Sequence, residues 1–257
     1  MRWNVPYPET EMNLLGVRIH RLTRTELLDC FEKALDQTGP LHFAYLNVAV
    51  SNQAADQPEI HQLLSSADLV YVDGAGIQLG CRILGEWCPA RNTAADFLPQ
   101  VMEICARRKK TVGFLGGTPG GAAHLREQMV AAFPGLQITF CKDGYEDLRQ
   151  EGAWIGPLQL APPDLLLVGL GVPAQEKWID AHRDSPGIRL YWSVGALFEY
   201  HGGSLSRCPD WMGRSGLEWL YRLWIEPRRL WKRYLIGNPR FLLRCLCSRW
   251  LGRVGML

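Results

Sequence analysis

Short apolar runs alternate along this chain with stretches in which apolar residues recur at helical spacing. Residues 24–37 place Leu27, Leu28, Phe31 and Leu35 on one helical face, and residues 42–46 read as a strand. Residues 67–72 (ADLVYV) form a second predicted strand, ending in the turn Asp73-Gly74-Ala75-Gly76. Thr93 is placed to cap a helix running to about Arg108. Strand 111–115 leads into Gly116-Gly117-Thr118-Pro119-Gly120-Gly121, and Pro119 fits the first turn of a helix ending near Phe133. Strand 136–141, strand 164–168, a loop to Pro173, helix 174–183 and strand 188–194 follow.

This order predicts an α/β fold, a Rossmann-like, doubly wound and mostly parallel sheet over residues 1–207. Beyond it the pattern becomes helical. Residues 216–236 read as a helix broken at Pro227, Gly237-Asn238-Pro239 as its stop, and residues 240–253 as a second amphipathic helix. Residues 208–257 are too few to bury a core of their own, so they read as an appendage.

Charge sharpens that division. The 257 residues carry a formal +2, yet the segment from Trp219 to Leu257 holds nine basic residues against one acid, Glu226. Trp211, Trp219, Trp224, Trp231 and Trp250 are interleaved with them. Basic charge mixed with amphipathic aromatics suits a membrane surface, and a packed helix with a solvated basic face is the plain alternative. No apolar run is long enough to span a bilayer, and the opening MRWNVPYPETEMN lacks the apolar stretch of a secretory signal. The expected place is therefore the cytoplasm, with the tail either lying on a membrane surface or packed as an ordinary helix. The eight cysteines form no CxxC and read as reduced core residues.

Glycine-rich loops at 73–76, 116–121, 169–171 and 202–203 all follow strands, where doubly wound sheets gather their ligands. Together they favour a nucleotide site, because glycine admits close backbone approach and helix starts offer N–H groups to phosphate. Asp73-Gly-Ala-Gly76-Ile-Gln-Leu-Gly80 imitates a dinucleotide fingerprint, which leaves an NAD(P)-dependent oxidoreductase open. A Walker A ending, a GxSxG elbow and a DxD metal pair are absent. Asp73, at a strand end beside glycine turns, could act as a general base or could simply close its own turn. Arginine without a nucleic-acid-binding module argues against nucleic acid as a partner.

Taken together the motifs resemble the WecG/TagA/CpsF glycosyltransferases, bacterial enzymes that extend lipid-linked sugars. The resemblance rests on Ala67-Asp68 through Asp73-Gly74-x-Gly76, Arg91-x4-Asp96, Phe114-Leu-Gly-Gly-Thr-Pro-Gly120, Gly169-Leu-Gly-Val-Pro173-Ala-Gln175-Glu176-x-Trp178, and Val194-Gly195-Ala-x-Phe198. It continues through Gly203, Arg207-x-Pro209-x-Trp211, Gly216-Leu-Glu-Trp-Leu-x-Arg-Leu223 and Glu226-Pro-Arg-Arg229.

The resemblance implies an inverting, metal-independent transfer from a UDP-sugar to a sugar on polyprenyl diphosphate at the cytoplasmic, inner face of the cell membrane, with no cofactor. It makes Asp73 the base and sets Gly116, Gly117, Thr118 and Gly120 near the donor nucleotide. Gly74, Gly76, Gly169, Gly171 and Gly195 would shape the same site. Gln175 and Glu176 would line the sugar or uridine pocket. Asn47 matches an early Asn, and Arg91 and Asp96 an RxxGxD segment. Among Arg207, Arg222, Arg228, Arg229 and Arg233, one or more would stabilise the diphosphate leaving group, Arg222 and Arg229 foremost. The chain departs from the family at Tyr45 for Thr, Ala94 for Gly, Ala174 for Lys, Glu199 for Asp and Cys208 for Ala. These departures leave the donor open between N-acetylmannosamine, its uronic acid and glucose, and the sequence also leaves a homo-oligomer open.

Overall fold

The computed structural model describes residues 3–89, 91–145, 149–184, 187–201, 208, 209, 212 and 216–254. Gly203, Arg207 and Trp211 lie outside the described residues. The chain runs β1 (Glu11–Leu14), β2 (Val17–His20), α1 (Arg24–Ala34), β3 (Leu41–Leu46), α2 (Val48–Asp56), α3 (Pro58–Ser66) and β4 (Leu69–Val72). It continues with α4 (Ala75–Leu84), α5 (Ala94–Arg107), β5 (Thr111–Gly116), α6 (Gly121–Ala132), β6 (Gln137–Lys142), α7 (Glu151–Leu160) and β7 (Leu165–Gly169). Then come α8 (Ala174–His182), β8 (Leu190–Ser193), α9 (Leu197–His201), α10 (Glu218–Ile225), α11 (Pro227–Trp231), a π turn (Lys232–Ile236) and α12 (Gly237–Val254).

The strands form one sheet in the order β1-β2-β4-β3-β8-β7-β5-β6, parallel except for the antiparallel β1–β2 hairpin at one edge. β4 and β5, which follow one another in sequence, lie on opposite sides of the β3–β8–β7 centre. The winding therefore reverses there, and such a reversal opens a crevice at the strands' carboxyl ends. The central strands are apolar on both faces because helices cover both. α1, α5 and α6 pack one face through Phe31, Phe97 and Leu125, and α2, α3, α4 and α12 pack part of the other through Val50, Leu64, Ile77 and Phe241. α7 and α8 cover the rest of that face with Trp154 and Ile179.

Two local expectations change. Pro119 sits in the turn before α6, because Gly120, at φ +83°, is the cap and the helix starts at Gly121. Gly237-Asn238-Pro239 does not stop the helix. The Gly237 N–H donates to the Lys232 carbonyl, five residues back, and the widened turn admits Pro239 without a break. Pro227 does mark a break, between α10 and α11.

α12 is built into the core. The Phe241 ring and Cys245 are fully buried against α4, where a Cβ on Gly80 would meet Phe241 Cζ at 2.6 Å. Gly76, likewise, lies where a Cβ would meet Val48 Cγ2 at 2.4 Å. Close helix approach thus accounts for two of the three glycines of the apparent dinucleotide fingerprint, and the positive φ of +93° for the third, Gly74. Phe241→Ala is expected to lower unfolding free energy by about 3–5 kcal/mol, read by denaturant titration. All eight cysteines are free thiols, five of them buried.

Candidate active site

A cavity of about 910 Å³ opens at the carboxyl ends of β3, β4, β5, β7 and β8. The chain leaves β4 at Asp73, whose N–H donates to the Leu46 carbonyl across the β3–β4 pair. Its carboxylate is oriented at both oxygens. The Thr93 hydroxyl donates to Oδ1 at 2.9 Å, and Asn47 Nδ2 approaches Oδ2 at 3.5 Å. Asn47 is itself fixed as the α2 cap, its Oδ1 accepting from the Val50 N–H at 3.0 Å. Thr93 precedes α5 as expected but makes no capping bond, since its hydroxyl is turned to Asp73. Burial pushes the Asp73 carboxyl up to about 6, and Glu218 pushes the same way. The Thr93 and Asn47 hydrogen bonds and the Arg233 charge pull it back.

Side chains of the C-terminal helices line the same cavity. Arg222, Arg229 and Arg233 line the wall with Glu218, and Arg91, from the loop before α5, lines the body side. Arg91 meets Asp96 only at 3.8 Å, and its close partner is Glu218 at 2.7 Å, so this pair ties α10 to the body. The Arg222 guanidinium lies 5.1 Å from the Tyr200 ring centroid, with its buried Nε unpartnered. Arg229 is forked onto Glu226 at 2.8 and 2.6 Å. The described wall carries four arginines against the three carboxyls of Asp73, Glu199 and Glu218, with Glu226 pairing Arg229 from outside it.

The glycine loops divide. Gly74, Gly76, Gly117, Gly169, Gly171 and Gly195 line the cavity, while Gly116, Thr118 and Gly120 do not. Gly116 is needed for strand-end contact, since a Cβ there would lie 2.4 Å from the Gly169 carbonyl oxygen. Asp96 and Arg228 are also outside the wall.

Gln175 and Glu176, expected to line the pocket, are not among its lining residues. They are 0% and 2% exposed and lie beneath its floor. Gln175 Oε1 accepts from the Gly195 N–H at 3.0 Å, and its Nε2 donates to Glu176 Oε1 at 2.7 Å. Burial pushes the Glu176 carboxyl up to about 7, against the hydrogen bond from Gln175. Their polarity braces the Gly195 loop rather than facing a ligand. Thr93, Glu218 and Tyr200 are wall residues that sequence reasoning did not single out. Glu218 sits inside the Gly216–Leu223 block, so only Tyr200 and Thr93 carried no motif signal. No group of three or more His, Cys, Asp or Glu suited to a metal ion occurs among the described residues.

Comparison with known proteins gives the arrangement its relatives. A family model described as "Glycosyl transferase WecG/TagA/CpsF family" matches residues 12–254, from β1 to the end of α12. An N-acetylglucosaminyldiphosphoundecaprenol N-acetyl-beta-D-mannosaminyltransferase of Bacillus spizizenii is 30% identical over 212 residues, 82% of this chain and 81% of that protein. Proteins of the same name are 26% identical in Bacillus subtilis, over 95% of this chain and 89% of theirs, and 24% identical in Staphylococcus aureus, over 86% and 87%. The match spans every strand that feeds the cavity and the helices that carry its arginines, and the chain belongs to the WecG/TagA/CpsF family of glycosyl transferases.

Proposed function

We propose that this enzyme moves a hexose from a UDP-sugar to a sugar hydroxyl on a polyprenyl diphosphate, with inversion at the anomeric carbon. The observation that carries this reading is one cavity lined by Asp73 together with Arg222, Arg229 and Arg233. As the acceptor oxygen attacks the anomeric carbon, its proton passes to an Asp73 carboxylate oxygen. The bond from that carbon to the UDP oxygen breaks, and the electron pair leaves with UDP. Negative charge grows on the diphosphate in that step, and arginines aimed at it stabilise it most at the transition state. At the cavity's glycine-lined edge, Gly74 and Gly171 have open space where a Cβ would stand, which lets the backbone approach the nucleotide.

The acceptor class follows the relatives' names, which specify N-acetylglucosaminyl-diphospho-undecaprenol and transfer of N-acetylmannosamine. A lipid acceptor also fits the C-terminal surface. Trp224 and Trp250 are 81% and 74% exposed, beside exposed Leu220, Ile225, Trp231 and Leu251 and numerous arginines. No helix among the described residues is long and apolar enough to cross a membrane, so this surface would act by lying on one.

The test is a thermal-shift panel of UDP-N-acetylmannosamine, its uronic acid and UDP-glucose, followed by transfer to a short-chain polyprenyl-diphosphate-linked N-acetylglucosamine. One donor should raise the melting temperature and yield a product of inverted anomeric configuration. Silence from UDP and all three donors, or a retained configuration, would refute the reading.

A further inference from the structure

The last helix has two apolar faces, and only one is covered. Gly237, Phe241 and Cys245 turn inward onto α2 and α4. Ile236, Pro239, Leu243 and Cys247 fall on the opposite side at helical spacing and are exposed. An apolar helix face is ordinarily buried, and on this helix arginines separate a covered apolar face from an uncovered one. Here the outer face carries an open, almost wholly apolar groove of about 500 Å³, lined along its whole length by the single helical stretch from Leu235 to Cys247.

The groove is continuous with the active-site cavity. Leu235 and Pro239 line both, and Leu235 stands two residues beyond the cavity-lining Arg233. From Pro239 to Cys247 the helix advances about 12 Å, a stretch several isoprene carbons long. The groove's flank is fixed in place. Arg240 forks onto Asp56, and Arg244 Nη1 donates to the Ser51 carbonyl and to Asn52 Oδ1. The two charged heads are thereby drawn toward α2, and the methylene stems are left to line the groove.

We propose that this groove holds the first isoprene units of the acceptor's lipid, so that the chain leaves its diphosphate beside Arg233 and runs outward over Leu235, Pro239 and Leu243. The inference rests on the acceptor class proposed above. It adds that the protein, and not only the bilayer, recognises the lipid. A chain held there fixes the diphosphate from behind and presents the terminal sugar to Asp73.

The experiment uses the full chain without membrane or detergent. Acceptors carry the same sugar diphosphate on dimethylallyl or farnesyl, both soluble. The wild type should show a KM roughly tenfold lower for farnesyl, the gain expected from burying about two further methylenes' worth of apolar surface. In Leu243→Glu, and independently in Ile236→Ser, that ratio should fall to within about twofold of unity. Both side chains are exposed, so unfolding is not expected, and a melting curve checks it. Equal KM values in the wild type, or a ratio untouched by both substitutions, would overturn the groove. Loss of vesicle binding with an unchanged ratio would do so too, and would assign the face to the bilayer. Absence of transfer to either acceptor would instead refute the proposed function itself.

Discussion

Asp73→Asn is expected to lower kcat for sugar transfer by about 10²–10⁴, the usual worth of a positioned general base. UDP affinity, read by calorimetry, should stay within about twofold if, as proposed, the cavity's arginines and not Asp73 hold the diphosphate. The same carboxyl sets the pH profile. Its proton leaves at about 6 rather than in the ordinary carboxylate range, with burial the main cause. The base works only when deprotonated, so kcat/KM should rise tenfold per pH unit below about 6 and level above it. In the Asn variant that acidic limb should vanish from the residual rate. Stability separates chemistry from folding. A carboxyl raised in the folded state contributes stability below its unfolded pKa and loses it as pH rises through the folded value. At pH 7.5 the Asn variant should therefore melt no lower than the wild type. Full activity in the variant, or a limb that persists, would remove Asp73 from the role of base.

The sheet was legible where its strands are unbroken apolar runs, as in 67–72, 111–115 and 164–168, because strands covered by helices on both faces need no polar positions. The edge hairpin was not. β1 and β2 have four residues each, and their turn is Leu15-Gly16 with φ of +53° and +93°. Leucine gives no turn signal there, since the left-handed region ordinarily calls for Gly, Asn or Asp. Pro58, in the first turn of α3, was a usable start signal that short apolar spacing obscured. Within the site, an acid at a strand end made Asp73 a candidate, but only the family resemblance separated a base from an Asp that closes its own turn. Thr93 could not be found, because a Thr before a helix has a sufficient reason to be there as a cap. Gln175 and Glu176 came from the family resemblance, and their spacing could not show that they sit buried and hold the Gly195 loop from below. Gly237-Asn238-Pro239 misled because stop residues are read against α-helical hydrogen bonding, and the turn there is a π turn.

Arg222→Ala is expected to cost about 10²–10³ in kcat, the loss typical when one preorganised donor to a developing charge is removed. Its neighbours should matter less, in an order fixed by what already neutralises them. Arg222 is held by the Tyr200 ring and keeps an unpartnered buried Nε, so its charge is aimed but not matched by a close carboxylate. Arg229 spends two hydrogen bonds on Glu226, and a diphosphate must displace that fork to use it. Arg228 lies outside the cavity wall and should be near neutral. The expected order of loss is therefore Arg222, then Arg229, then Arg228, in steady-state rates with saturating donor. Arg222→Lys should recover little, because an ammonium lacks the flat face that stacks on Tyr200 and the fork that spans two phosphate oxygens. The effect should sit in kcat more than in KM for the donor, since the charge that Arg222 meets is largest as the sugar leaves. A loss confined to KM would make Arg222 a ground-state anchor. A loss at Arg228 equal to that at Arg222 would mean that net positive charge, and not placement, does the work.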